Sequence, residues 1–138
     1  MRIIRFETAE ARRLLGCPNE YGSATLLAGD LLSGALNLTD ETATIHRLLA
    51  PLEPCNIFCI GLNYRAHAAE TGAPIPEHPV VFMKPTSAVI GPGDAIRLPR
   101  ACEHGPEVDY EGELAVVIGR TARDLPAARA LDHVLGYT

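Results

Sequence analysis

The stretch DYEGELAVVIG, residues 109–119, sets Asp109, Glu111 and Glu113 at every second position and then runs into an apolar segment. Read as a β-strand, it sends Asp109, Glu111, Glu113, Ala115 and Val117 to one face and Tyr110, Gly112, Leu114, Val116 and Ile118 to the other. The second face belongs to a core. On the first, the carboxylates stand roughly 7 Å apart at the backbone, close enough for flexible side chains to converge on one ion. Three carboxylates in a partly buried site repel one another unless a cation neutralises them or their pKa values rise. Oxygen-only ligands select a hard cation, Mg2+ or Mn2+, rather than zinc. The alternative is a solvated strand end with unrelated charges. Gly112, between the two glutamates on the opposite face, reads as a place where a missing side chain permits close backbone approach.

Towards the N-terminus, GLNYRAHAAE (61–70) supplies a second polar constellation. If residues 63–70 are helical, with Asn63 as N-cap and Thr71-Gly72 as the stop, His67 and Glu70 lie at i and i+3 on one face. A carboxylate that accepts from one imidazole nitrogen leaves the other free to take a proton from water, and it stabilises the imidazolium that forms. Such a pair also arises by chance on an exposed helix.

The rest of the chain is mostly strand and turn. RIIRF (2–6) reads as a strand, and ATLLAGDLLSGAL (24–36) as two apolar runs turning at Gly29 and Asp30. Thr8 to Leu15 fits a short helix capped by Thr8, or else a strand through Arg13 to Cys17. Pro51 and Pro54 mark a boundary, because proline lacks a donor and disfavours helix in the residue before it. A small β-rich module over residues 1–50 and a second unit over 51–138 are therefore expected. In the second unit NIFCIG reads as a buried strand, GAPIPEHP as loop, VVFMK as strand, and LPAARALDHV (125–134) as a helix.

Composition excludes several classes. The 138 residues are 47% hydrophobic and 21% charged, with no uninterrupted apolar run of membrane-helix length. The net charge of −5 is scattered and the twelve Lys and Arg form no basic tract, so nucleic acid is not an expected partner. The first residues lack a signal peptide's apolar region, which reads as cytoplasmic. Cys17, Cys55, Cys59 and Cys102 have no zinc-ligand spacing and read as reduced packing residues. Cys102 beside His104 is the one sequence-local thiol nucleophile candidate.

GLNYRAHAAE, EHPVVFMKPTSAVIGPGDAIRLP, DYEGELAVVIG and LGYT, in this order, resemble the fumarylacetoacetate hydrolase family from about Ile57 to Thr138. The resemblance implies a mainly β (α+β) catalytic fold, a mixed β-roll or β-sandwich, here incomplete and preceded by the small N-terminal module. It implies a homodimer holding Mg2+ or Mn2+ and cleaving a C–C bond of acylpyruvates, β-diketo acids or related dicarbonyl carboxylates, as in aromatic catabolism; some members decarboxylate or isomerise instead. Glu111 and Glu113 match the family's metal ligands, and His67 and Glu70 its catalytic pair. Lys84 matches a family lysine, with its role open between substrate contact and pairing to a carboxylate.

In the family an Asn-Asp segment after GYT supplies a third metal ligand, and this chain ends at Thr138. The resemblance therefore carries two expectations. The chain is the N-terminal half of such a hydrolase or lyase, inactive alone, or it is a non-catalytic half-subunit that oligomerises or pairs with a C-terminal half.

Overall fold

In a computed structural model that describes residues 1–101, 105 and 108–138, the protein is mostly β with few helical turns. Five strands, β1 (Ile4–Glu7), β2 (Arg13–Pro18), β3 (Ser23–Asp30), β4 (Ala35–Thr44) and β5 (Arg47–Leu48), form one antiparallel sheet in the order β4-β3-β2-β1-β5.

The sheet's core is small: Phe6, Ala24 and Leu27 are buried. Ala24 and Leu27 lie three positions apart, so strict alternation would send them to opposite faces. A register shift between Thr25 and Leu27 turns both inward. The Leu26 carbonyl at this irregularity accepts a hydrogen bond from Thr39 Oγ1 at 3.1 Å. Gly16 faces Leu26 across the ladder, and a Cβ there would stand 2.7 Å from the Thr25 carbonyl oxygen and 3.3 Å from Phe6 Cε1. The core closes over a position that only glycine fits.

Two expectations for this region are corrected. Residues 8–15 form no helix: Ala11 N donates to the Thr8 carbonyl and Thr8 N to that of Arg12, both at 3.0 Å, in a tight turn with Ala11 at φ 59°. The reason is tertiary, since Arg13–Pro18 lies between β1 and β3 and pairs with both. The hairpin after β3 turns at residues 31–34 rather than at Gly29 and Asp30. There Asp30 Oδ1 accepts from Leu32 N at 2.8 Å and Gly34 takes φ 72°, which suits a residue without a Cβ.

Beyond Leu48 the strands form two separate pairs. β6 (Ile57–Gly61) and β7 (Val80–Lys84) run antiparallel from Ile57↔Lys84 to Gly61↔Val80, and between them lie α1 (Arg65–Glu70) and a proline-rich loop. The expected burial of NIFCIG is not seen, because a two-stranded sheet covers neither of its own faces; Phe58 is 64% exposed. β8 (Val116–Ile118) pairs with β9 (Val134–Tyr137), with an irregularity at Val117/Ile118. Ala127–His133, expected as α-helix, is a run of 3-10 turns. It starts behind Pro126, where Arg129 N donates to the Pro126 carbonyl at 2.8 Å, and must deliver Val134 directly into β9.

An ion-pair ladder ties the five-stranded sheet to Glu53 and Asp94, which lie beyond it in the chain. Arg13 and Arg47 flank Glu7 at 3.7 and 3.6 Å, Arg5 and Arg13 meet Glu53, and Arg47 reaches Asp94 at 3.5 Å.

Candidate functional site

α1 begins one residue later than the sequence suggests. Tyr64, not Asn63, is its N-cap, with extended backbone (φ −107°, ψ 124°) and no side-chain cap. Its C-terminal end is as read. Thr71 N and Thr71 Oγ1 both donate to the His67 carbonyl, at 3.1 and 2.9 Å, and Gly72 follows at φ 65°. Ala68 is buried on the inner face and Ala73 N donates to its carbonyl at 2.9 Å. That anchoring leaves the neighbouring His67 half-exposed.

The acidic stretch differs from the strand its alternation predicts. Only Val116–Ile118 is strand, and residues 109–115 have no regular assignment. A strand requires a neighbour to bond with, and among the described residues this stretch finds one only at its end, where Ala115 and Thr138 exchange backbone hydrogen bonds of 2.8 and 3.0 Å. Asp109 uses Oδ1 to accept from Tyr110 N at 2.8 Å. The close-approach reading of Gly112 is also overturned, since a Cβ there would meet nothing within 4 Å.

The acidic stretch nevertheless reaches α1. Glu111 Oε1 lies 3.3 Å from His67 Nε2. Leu114 N donates to the Tyr64 hydroxyl at 3.0 Å. The two motifs therefore meet at two points. The carboxylate beside His67 is Glu111 and not Glu70: among the described residues no hydrogen bond or ion pair joins Glu70 to His67. Helical spacing brings i and i+3 side chains near one another without fixing their rotamers. With its imidazole 39% and its carboxylate 52% exposed, the His67–Glu111 pair contributes about 0–1 kcal/mol when the imidazole is charged.

The remaining candidates are more scattered. Lys84 ends β7 with its Nζ 5.9 Å from the centroid of the Phe82 ring, a cation–π contact along one face of the strand. Among the described residues it forms no ion pair with Glu70, Glu111 or Glu113. Cys17 and Cys59 are half-buried and Cys55 is exposed, all three free, so Cys55 is not the packing residue expected. The Cys102–His104 candidate lies outside the described residues.

As ligands for a divalent ion, Glu111 and Glu113 offer the right chemistry, carboxylate oxygens on an accessible segment. The donor number is short: among the described residues, no three His, Cys, Asp or Glu side chains converge. A cavity of about 410 Å³ lies elsewhere, bordered by Arg5, Arg13, Arg47, Glu53 and Asp94, where three guanidiniums already face acidic partners. The link from Tyr64 to Leu114 was missed in the sequence. Its one available signal is that Tyr64 stands three residues before His67, on the same side of the helix start.

Comparison with known proteins supports the family the sequence resembles. Residues 56–138 match the family model described as fumarylacetoacetate (FAA) hydrolase C-terminal. The chain is 47% identical over 92 residues to the mitochondrial oxaloacetate tautomerase fahd2 of Xenopus laevis, covering 66% of this chain and 28% of that protein. Its fold is similar to a 5-carboxymethyl-2-hydroxymuconate delta-isomerase from Mycobacterium smegmatis, with a TM-score of 0.74 and 37% identity over 99% of this chain and 52% of that one. It is also similar to a fumarylacetoacetate hydrolase from Exiguobacterium antarcticum, with a TM-score of 0.67 and 34% identity over 99% of this chain and 53% of that one. The chain thus spans about a third of the curated relatives it matches and about half of the matched structures.

Proposed function

Because the chain belongs to the fumarylacetoacetate hydrolase family, we propose that it carries the water-activating and metal-ligating motifs of a divalent-metal-dependent hydrolase or lyase that cleaves a C–C bond in acylpyruvates or β-diketo acids. The convergence of His67 and Glu111 at 3.3 Å supports this reading. A proton acceptor there stands beside a carboxylate suited to a hard cation.

In this reading Glu111 and Glu113 hold Mg2+ or Mn2+, with the remaining donors supplied from outside the described residues. When bound, the ion polarises a chelated carbonyl and compensates the negative charge left on the product. His67 Nε2 takes a proton from the attacking water. The oxygen adds to the carbonyl carbon, the adjacent C–C bond breaks, and its electron pair leaves as an enolate that is protonated to the ketone. Glu70, on the last turn of α1, orients the imidazole by rotating towards it. Lys84 contacts a substrate carboxylate or pairs with a glutamate. One relative is named as a tautomerase and one structural neighbour as an isomerase. Both reactions move a proton next to a carbonyl, so isomerisation or decarboxylation by the same residues is the variant reading. We place the protein in the cytoplasm; among the described residues no helix is long and apolar enough to cross a membrane.

Calorimetry and thermal shift with Mg2+ or Mn2+ test the metal. An ion at a hundredfold excess over its Kd stabilises the folded chain by about 2.7 kcal/mol, and this gain should vanish in Glu111→Gln. A wild-type chain with no divalent response has no working metal site.

A second reading, a half-subunit that completes itself by homodimerising or pairing with a C-terminal half, is favoured by the bare strand pairs. Phe58, Val81, Phe82 and Met83 on β6–β7, and Val116, Ile118 and Tyr137 on β8–β9, are exposed. Apolar faces and open strand edges of this kind invite association. Sedimentation velocity decides it: a well-folded monomer across the micromolar range refutes the reading, and a concentration-dependent dimer supports it.

A further inference from the structure

The segment that carries Glu111 and Glu113 has little to hold it. Residues 109–115 are outside any strand, Gly112 faces open space, and Ala115 is the first residue tied into the β8–β9 pair by backbone bonds. One position earlier, the Leu114 amide finds no backbone acceptor and donates to the Tyr64 hydroxyl. Tyr64 and His67 are three residues apart at the start of α1, and Leu114 and Glu111, the groups they touch, are also three apart. Tyr64 takes Leu114 while His67 meets Glu111, a two-point attachment between the motifs.

We propose that Tyr64 is a positioning residue, whose hydroxyl captures the Leu114 amide and so fixes the acidic segment in the register that brings Glu111 to His67. Without the hydroxyl, the Leu114 N–H has no acceptor among the described residues, and a donor in that position turns towards water. The segment is then free to pivot about Ala115, and the three residues between it and Glu111 are all exposed, with Gly112 facing open space. The tyrosine ring has a separate role as half-exposed surface beside the helix. Tyr64→Phe keeps the ring and removes only the acceptor. The inference rests on the proposed function for what the site does, and on geometry alone for what Tyr64 does.

Nuclear magnetic resonance of the full chain at one fixed pH tests it, comparing wild type, Tyr64→Phe, Glu111→Gln and the double variant. In Tyr64→Phe the Leu114 amide should exchange about five- to tenfold faster, the loss of one neutral hydrogen bond, while Val117 and Phe58 amides keep wild-type rates. The His67 ring nitrogen signals should move towards those of Glu111→Gln. In the double variant they should coincide with Glu111→Gln, because Tyr64 acts on His67 only through Glu111. Unchanged His67 signals in Tyr64→Phe overturn the proposal, as does faster exchange spread over all strands, which would make Tyr64 a general fold residue. A His67 signal that does not respond to Glu111→Gln also overturns it, by removing the contact that is positioned. No readout uses a divalent ion, so failure of the metal reading and failure of this one are separate results.

Discussion

Replacing Phe6 by alanine removes the largest fully buried side chain among the described residues. Phe6 lies opposite Leu14 on one side and Leu48 on the other, with Cε1 against the Gly16 position. Truncation of a buried phenylalanine costs about 3–5 kcal/mol, and the cost rises where neighbours cannot relax into the space. Here they cannot: Gly16 has no side chain and Ala24 only a methyl, and both are fixed by the β2–β3 ladder. On a scale of about 0.05–0.15 kcal/mol per residue, a sheet built from the first 48 residues carries roughly 2–7 kcal/mol. Phe6→Ala should therefore bring the five-stranded sheet close to its unfolding midpoint. Urea titration followed by far-ultraviolet circular dichroism, with amide exchange on β1–β4, measures this. Leu38→Ala is the control, since Leu38 is 60% exposed and its loss should stay within about 0.5 kcal/mol. A Phe6→Ala loss below about 1.5 kcal/mol refutes the reasoning, because it means the sheet is held by something other than this core.

Gly112 and Gly119 should behave in opposite ways. Gly112→Ala adds a methyl where no atom lies within 4 Å, so the thermal midpoint should hardly move, within about 0.5 kcal/mol; a clear loss would restore the close-approach reading. Gly119→Ala sets a Cβ 2.7 Å from Leu135 Cβ and 3.4 Å from the Leu135 Cα, so β8 and β9 must part at that point. The expected cost is about 1–3 kcal/mol by chemical denaturation, and an unchanged midpoint would contradict the packing described.

What could be read in the sequence was whatever local chemistry decides. The apolar runs IRF, ATLLAG, IFCIG and VVFMK are strands, and Thr71-Gly72 ends α1, because alternation, β-branching and a left-handed C-cap act over a few residues. What failed depended on partners. TAEARRLL has helix formers and a capping threonine, but of its two readings the strand through Arg13 to Cys17 holds, because the two neighbouring strands claim Arg13–Pro18. DYEGEL alternates as a strand should and is not one, because among the described residues only Ala115 meets another backbone there. Burial was misjudged for the same reason: NIFCIG has the composition of a central strand, but its one neighbour among the described residues leaves Phe58 and Ile60 exposed and Ile57 and Cys59 only half-buried.

The site shows how far spacing alone reaches. Counting i and i+3 along α1 identifies His67 and Glu70 as neighbours, and counting alternate positions identifies Glu111 and Glu113. Neither count can see that Glu111 lies across from His67, because that contact depends on a tyrosine hydroxyl holding a backbone amide 50 residues away. The pairing also limits the mechanism. Glu111 Oε1 faces His67 Nε2, the nitrogen that takes the proton of water on the proposed reading, so on that reading this oxygen moves off the ring or shares it with the incoming water. On the proposed reading, an ion held by Glu111 would leave Nε2 free for that proton, and Glu70 is the other carboxylate on α1 within one turn of the ring.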